Sequence, residues 1–154
     1  MALNYGFKLR KELYKQLCQL KECKSYERKK VQQLYDTTEL DFIVENKDIV
    51  FFIRCVRTNS RPNILDYNAM VEAVEKCCKD KGIEKHQIIM VSRQKPTKNF
   101  IEHWKGENQK ALFAYKPIEY IVKLVPDYIN QVLGTPNPAE QEIPAKENPK
   151  SEQA

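Results

Sequence analysis

Two short apolar segments joined by a polar link place the strongest constraint on the fold of this chain. The segments Leu40–Val44 and Ile49–Val56 are rich in Val, Ile and Phe, and the link between them is Glu45-Asn46-Lys47-Asp48. β-Branched and aromatic residues favour strands, and so short a polar link favours a direct antiparallel connection. Residues 40–57 are therefore predicted to form a β-hairpin.

The second segment of this hairpin is almost continuously apolar, which is typical of a strand buried on both faces in the middle of a sheet. Arg54 and Arg57 stand at its far end. Because side chains alternate along a strand, Arg54 and Val56 share one face, whereas Cys55 and Arg57 share the other. The sequence thus predicts a central strand that ends in two arginines.

The hairpin resembles the catalytic hairpin of the restriction-endonuclease-like (PD-(D/E)xK) superfamily, in particular its Mrr-type branch. Asp41 stands where the metal-binding Asp of that family would be, and Ile53–Arg57 (IRCVR) stands where the family has roughly I-Q-C-K-R. The offset from Asp41 to Arg54 is the one that the family hairpin would give. The resemblance implies a restriction-endonuclease-like α/β fold, with an αβββαβ core and a mixed central sheet flanked by helices.

The same resemblance argues against catalysis, because this chain departs from the family at two positions of the site. Arg54 replaces the acid or amide, and Val56 replaces the catalytic Lys. A nuclease of this superfamily needs two acidic ligands for Mg²⁺ and a Lys that positions or activates the attacking water. Asp41 could supply one ligand and Glu12 a second, but a fixed charge on Arg54 disfavours a cation beside it.

These departures make Asp41, Arg54 and Val56 vestigial site positions, with no catalytic residue, no metal site beyond Asp41 and no cofactor. Mg²⁺ is expected only if the chain is an active endonuclease whose catalytic Lys has migrated. Arg54 is expected to pair with Asp41 across the hairpin, and Val56 to pack against apolar neighbours. The alternative for Asp41 is a turn or cap carboxylate that accepts backbone hydrogen bonds.

Basic residues follow two of the predicted strands and suggest a nucleic-acid-binding surface. If the second hairpin strand and the later strand Ile88–Val91 are neighbours, their ends converge on one basic rim, which would suit phosphate contacts. The alternative is an ordinary solvated face in a Lys-rich protein. The candidate nucleic-acid-binding residues are Arg54, Arg57, Arg61, Arg93, Lys95 and Lys98.

Apolar periodicity and turn residues predict the order α-β-β-β-α-β-α-β-α, whose first six elements are the αβββαβ core. Asn63 or Asp66 is expected to cap the helix after the hairpin, and Pro126 to kink or interrupt the last helix. The predicted elements begin with a helix or helix pair over residues 7–30, a strand near Val31–Tyr35 and the hairpin. Next come a strand at Ile88–Val91 and, before it, a helix that ends at Gly82 and has an apolar face of Met70, Val71, Val74, Cys77 and Cys78. The last predicted elements are a helix over 97–104 with Thr97 as its cap, a strand at Ala111–Tyr115 and a helix with Pro117 at its first position.

Length and composition predict one domain over residues 1–133, followed by a Pro/Glu-rich disordered tail over residues 134–154. The chain has 154 residues, of which 42% are hydrophobic and 31% charged, and its net charge is +5. No apolar run approaches the roughly 20 residues of a membrane span, and there is no secretory signal. Five cysteines without regular spacing favour a reducing compartment, so a cytoplasmic location is expected.

The function that the sequence favours is a catalytically inactive nuclease-like domain that binds nucleic acid through the basic rim. Two alternatives remain open at this point. The first is a non-enzymatic protein–protein interaction module or a subunit of a larger complex. The second is the active Mg²⁺-dependent DNA or RNA endonuclease with a migrated Lys.

Overall fold

The computed structural model describes residues 2–56, 61–104, 110–114 and 117–134. Within these ranges the chain is an α/β protein, and none of the described helices is long and apolar enough to cross a membrane. Its elements in chain order are α1 (Ala2–Leu17), β1 (Cys23–Glu27), α2 (Arg28–Tyr35), β2 (Phe42–Asn46), β3 (Val50–Cys55), α3 (Ile64–Lys81), β4 (His86–Ser92), α4 (Lys98–Trp104), β5 (Lys110–Ala114) and α5 (Ile118–Leu133).

The described strands form a mixed five-stranded sheet in the order β1-β2-β3-β4-β5. β2 is antiparallel to both of its neighbours, whereas β3, β4 and β5 are mutually parallel. The predicted hairpin is confirmed as β2 and β3, with Phe42 opposite Ile53 and Glu45 opposite Val50. Backbone hydrogen bonds between Asn46 and Ile49 in both directions close it tightly at the turn.

Helices cover both faces of the sheet, which explains the nearly continuous apolar sequence of β3. On one face, Phe51, Ile53 and Cys55 pack in a core with α1 and α5. On the other face, Phe52 and Val56 pack in a second core with α2, α3 and α4. β3 is therefore the buried central strand that its sequence predicts.

The predicted first strand at Val31–Tyr35 is wrong, because these residues belong to α2. Val31 and Tyr35 are buried four residues apart, so they lie on the same face of a helix. The first strand is instead β1, whose polar sequence CKSYE is tolerated because it pairs only with β2, at the edge of the described sheet. The structure thus has one helix, α2, between its first two strands, β1 and β2.

The second half of the chain follows the predicted elements closely. Asn63 and Asp66 together form a capping box at the start of α3, and Gly82 ends the helix in the left-handed conformation at φ 67°. Thr97 Oγ1 accepts the N–H of Phe100 at 3.2 Å and so caps α4. Local hydrogen bonds of this kind are readable from sequence because donor and acceptor are close along the chain.

The last helix differs from its prediction in two details. Pro117 has an extended backbone and precedes the helix instead of opening it, so the boundary shifts by one residue. Pro126 lies inside α5, which nevertheless continues to Leu133, so the proline does not interrupt the helix. Gly134 ends α5, and the rest of the predicted tail, residues 135–154, lies outside the described residues.

Candidate functional site

Asp41 lies buried at the open end of the hairpin, the end where β2 begins and β3 finishes. Its side chain is 6% exposed. Its N–H donates to the carbonyl oxygen of Ile53 at 2.9 Å, and its carboxylate oxygen Oδ2 accepts the N–H of Cys55 at 2.7 Å. Asp41 thus takes the role of a carboxylate that accepts a backbone hydrogen bond, the alternative that the sequence left open.

Burial raises the pKa of Asp41 above its ordinary value, and this effect outweighs the opposing ones. The hydrogen bond from Cys55 and the positive charges of Arg28, Arg10 and Arg54 favour the ionised form, but they do not compensate for lost hydration. A carboxylate must be deprotonated to bind a metal ion. The positive charges of Arg28, Arg10 and Arg54 also repel a cation near Asp41.

Arg54 does not form the predicted ion pair with Asp41. Its Nη1 contacts Oε1 of Glu39 at 2.5 Å and the carbonyl oxygen of Glu39 at 3.2 Å, and its Nη2 contacts Oδ1 of Asp66 at 3.3 Å. The Asp41 carboxylate accepts the N–H of Cys55, and the guanidinium of Arg54 pairs instead with the carboxylates of Glu39 and Asp66. The predicted ion pair is wrong because Asp41 and Arg54 each form hydrogen bonds with other groups.

The guanidinium of Arg54 connects three segments of the chain. Glu39 comes from the turn before β2, and Asp66 also accepts the N–H of Asn63 in the capping box of α3. Arg54 Nε is buried without a hydrogen-bond partner among the described residues, a desolvation cost that the ion pairs offset. Because Glu39 and Asp66 pair with its guanidinium, Arg54 is less available to a phosphate group than an exposed arginine is.

Val56 packs in the core against apolar neighbours, as the sequence predicts. Its side chain is 7% exposed and belongs to the same cluster as Met70 of α3. Its N–H donates to the carbonyl oxygen of Val91 at 2.8 Å. In the described ranges no three His, Cys, Asp or Glu side chains come together as a metal site.

The predicted convergence of the two basic segments is confirmed in part. β3 and β4 are parallel neighbours, so both carboxyl ends lie at the same edge of the sheet. Arg61 then bridges the segments, because its Nε donates to the carbonyl oxygen of Lys95 at 2.9 Å and its Nη2 to that of Pro96 at 2.8 Å. Arg93 is exposed on the connection after β4, and Lys98 is exposed at the first residue of α4.

The basic rim is therefore defined by four exposed residues, Arg61, Arg93, Lys95 and Lys98. Arg57, the remaining predicted member, lies outside the described residues. Sequence reasoning missed Glu39 as a partner of Arg54, and it assigned Asp66 only to the cap of α3. No local pattern connects Glu39 with Arg54, because they are 15 positions apart and meet through the strand pairing.

Comparisons of this chain with models of protein families, with curated proteins and with solved structures find no match. The class that the fold defines is a mixed five-stranded α/β sheet with helices on both faces. A function must accordingly be inferred from the geometry and charge of particular residues.

Proposed function

We propose that this chain is a catalytically inactive domain of the restriction-endonuclease-like class that binds nucleic acid through the basic rim. The order α1, β1, β2, β3, α3, β4 agrees with the αβββαβ core, apart from the inserted helix α2. Asp41 and Arg54 also lie together at the open end of the hairpin, where the resemblance expects the site. Both observations support the proposal.

The contacts at that site support the proposal that the domain is catalytically inactive. Arg54 is engaged by Glu39 and Asp66, Val56 is packed among apolar side chains, and Asp41 is buried against a backbone N–H. These contacts leave Arg54 and Val56 without the roles of metal ligand and catalytic amine that the resemblance gives to their positions. We expect no cleavage of DNA or RNA with Mg²⁺ or Mn²⁺.

The observation that carries the binding proposal is the bridge from Arg61 to the backbone of Lys95 and Pro96. It joins two basic segments that are more than thirty positions apart into one surface. Thr97 adds a further link, since its N–H donates to the carbonyl oxygen of Pro62 at 3.1 Å. A fixed row of cationic side chains suits the phosphate backbone of a nucleic acid, whose binding weakens steeply with salt.

A protein partner is the second candidate, and two exposed apolar residues favour it. Leu65 in the first turn of α3 is 78% exposed, and Ile101 of α4 is 42% exposed. α3 begins shortly after Arg61, and α4 follows the basic connection after β4. Exposed apolar side chains close to a charged surface are typical of protein interfaces.

The test of nucleic-acid binding compares two double variants of equal charge. Lys95→Glu with Lys98→Glu reverses the rim, and Lys79→Glu with Lys123→Glu reverses two exposed positions on α3 and α5. Binding to single- and double-stranded DNA and RNA is measured by fluorescence anisotropy over a salt series. We expect the rim variant to weaken binding about tenfold or more and the control variant about twofold or less.

Equal losses in both variants would show that only net charge matters, and this would overturn the rim. Absence of any binding by the unmodified chain at low salt would overturn the nucleic-acid proposal in favour of a protein partner. Metal-dependent cleavage that disappears in Asp41→Ala would overturn the inactive class and reveal a migrated catalytic group.

A further inference from the structure

A cavity lined by three lysines lies at the turn end of the hairpin, defined here by Asn46–Ile49. It has a volume of about 380 Å³, and Lys21, Lys47 and Lys85 contribute to its lining. The lysines come from three different connections, which precede β1, join β2 to β3 and precede β4. A second cavity of about 410 Å³ shares Lys47 and Lys85 with the first and also has Glu84 in its lining.

The backbone that carries these lysines is held in place by hydrogen bonds. Asn46 and Ile49 bond to each other in both directions, which fixes the link that bears Lys47. Asn46 Nδ2 donates to the carbonyl oxygen of Glu22 at 3.2 Å, next to Lys21. Val50 N–H donates to the carbonyl oxygen of Lys85 at 3.1 Å. A preorganised site loses less entropy when a ligand binds.

The lysines of this cavity outnumber the carboxylates in its lining. None of the three lysines forms an ion pair within the described part of the chain, in contrast to Arg54 and Lys76. Glu22 and Asp48 also line the cavity, so its net charge is close to +1. Acidic groups around a small basic cavity disfavour a long polyanion that would have to pass them, whereas a compact anion can contact the lysines alone.

One wall of the cavity is apolar. Ile49, Val132 and Leu133 line it and are packed against the core that α1 and α5 share. A cavity with cationic groups on one side and aliphatic side chains on the other fits a small molecule that has a phosphorylated end and an organic end.

We propose that this cavity binds a small organic diphosphate, with the lysines contacting the diphosphate and the aliphatic wall contacting the organic group. Ammonium groups form charge-assisted hydrogen bonds with phosphate oxygens, and two adjacent phosphates can engage three lysines at once. The site lies at the opposite end of the hairpin from Asp41 and Arg54. It is independent of the proposed binding of nucleic acid.

The test uses the full chain labelled with ¹⁵N and titrated with pyrophosphate and then with ADP. Amide signals of Glu22, Lys47, Asp48 and Lys85 are expected to shift and to saturate. ADP is expected to bind more tightly than pyrophosphate, because adenosine adds contacts with the aliphatic wall. Sodium sulfate at matched ionic strength is expected to bind at least about tenfold more weakly than pyrophosphate, because it carries less charge.

Two double variants assign the binding to the cavity. Lys47→Ala with Lys85→Ala should weaken pyrophosphate binding about tenfold or more, because charge-assisted contacts are removed. Lys95→Glu with Lys98→Glu at the rim should change the affinity for pyrophosphate by about twofold or less. Thermal unfolding of each variant checks that the fold is intact, as expected for exposed positions.

The proposal is overturned if the amide shifts spread over lysines throughout the chain. It is also overturned if sulfate binds as tightly as pyrophosphate, or if pyrophosphate binds as tightly as ADP. The third contradicting outcome is a Lys47/Lys85 variant that binds pyrophosphate as well as the unmodified chain does. Its failure is separable from failure of the proposed function. The cavity variant should leave nucleic-acid binding unchanged, whereas the rim variant should weaken nucleic-acid binding alone.

Discussion

The two ends of the β2–β3 hairpin use charge in opposite ways. At the open end, Arg54 is held by Glu39 and Asp66, and Asp41 is buried against the N–H of Cys55. At the turn end, lysines line a cavity and form no ion pair in the described ranges. The difference shows that a charged residue can be assigned to a binding surface only when its ion pairs within the protein are known.

The physical reason for the difference is the depth of each end in the fold. Helices on both faces cover the open end, so a charge there must find partners or shift its pKa. The turn end projects from the sheet, where water solvates the ammonium groups and no pairing is required. Three predictions test this contrast, from the largest expected effect to the smallest.

The largest effect is expected for Val56→Lys, which places an ammonium group in the core at the open end. The loss should be about 3 kcal/mol or more of unfolding free energy, because the ammonium group would be buried among the apolar side chains that surround Val56. Urea unfolding followed by circular dichroism measures it, with Val56→Ala, at about 2 kcal/mol, as the control for lost packing alone. Equal losses in the two variants would mean that water reaches this position, as it would in an enzyme.

A smaller loss, about 1–3 kcal/mol, is expected for Arg54→Ala, which removes the cation between Glu39 and Asp66. The lower part of that range is favoured because the Glu39 side chain is 41% exposed and partly solvated. Arg54→Lys serves as the matched control, since it keeps the charge but cannot reach both carboxylates as a fork. If Arg54→Ala left stability unchanged and weakened nucleic-acid binding, Arg54 would instead be a nucleic-acid-binding residue of the rim.

The smallest effect, about 1 kcal/mol or less, is expected for Asp41→Asn. Burial raises the folded-state pKa of Asp41, so its stabilising contribution is fully present below its unfolded pKa of about 3.9 and is lost as pH rises through the folded value. The amide can still accept the N–H of Cys55. The variant should therefore gain stability relative to the unmodified chain as pH rises from about 4 to 7, measured by urea unfolding at several pH values. A relative loss over that range would show that Arg10 and Arg28 outweigh burial.

The sequence predicted the elements whose determinants lie close together along the chain. The hairpin was predicted correctly because both strands and their link fall within 18 residues, 40–57. The caps of α3 and α4 were also predicted correctly, since Asn63, Asp66 and Thr97 act within three positions of their partners. The first strand was misplaced because β1 is polar and charged, and an apolar pattern cannot identify an edge strand of that kind.

The sequence by itself determined the local structure, the buried central strand and the apolar side chain at Val56. Only the tertiary structure decided which charges are available. Arg54 meets Glu39 and Asp66 through strand pairing and helix packing, and Lys21, Lys47 and Lys85 converge because three distant connections reach the same end of the sheet. Ion pairing depends on distances of a few ångströms, and for residues far apart in sequence those distances are set by the fold.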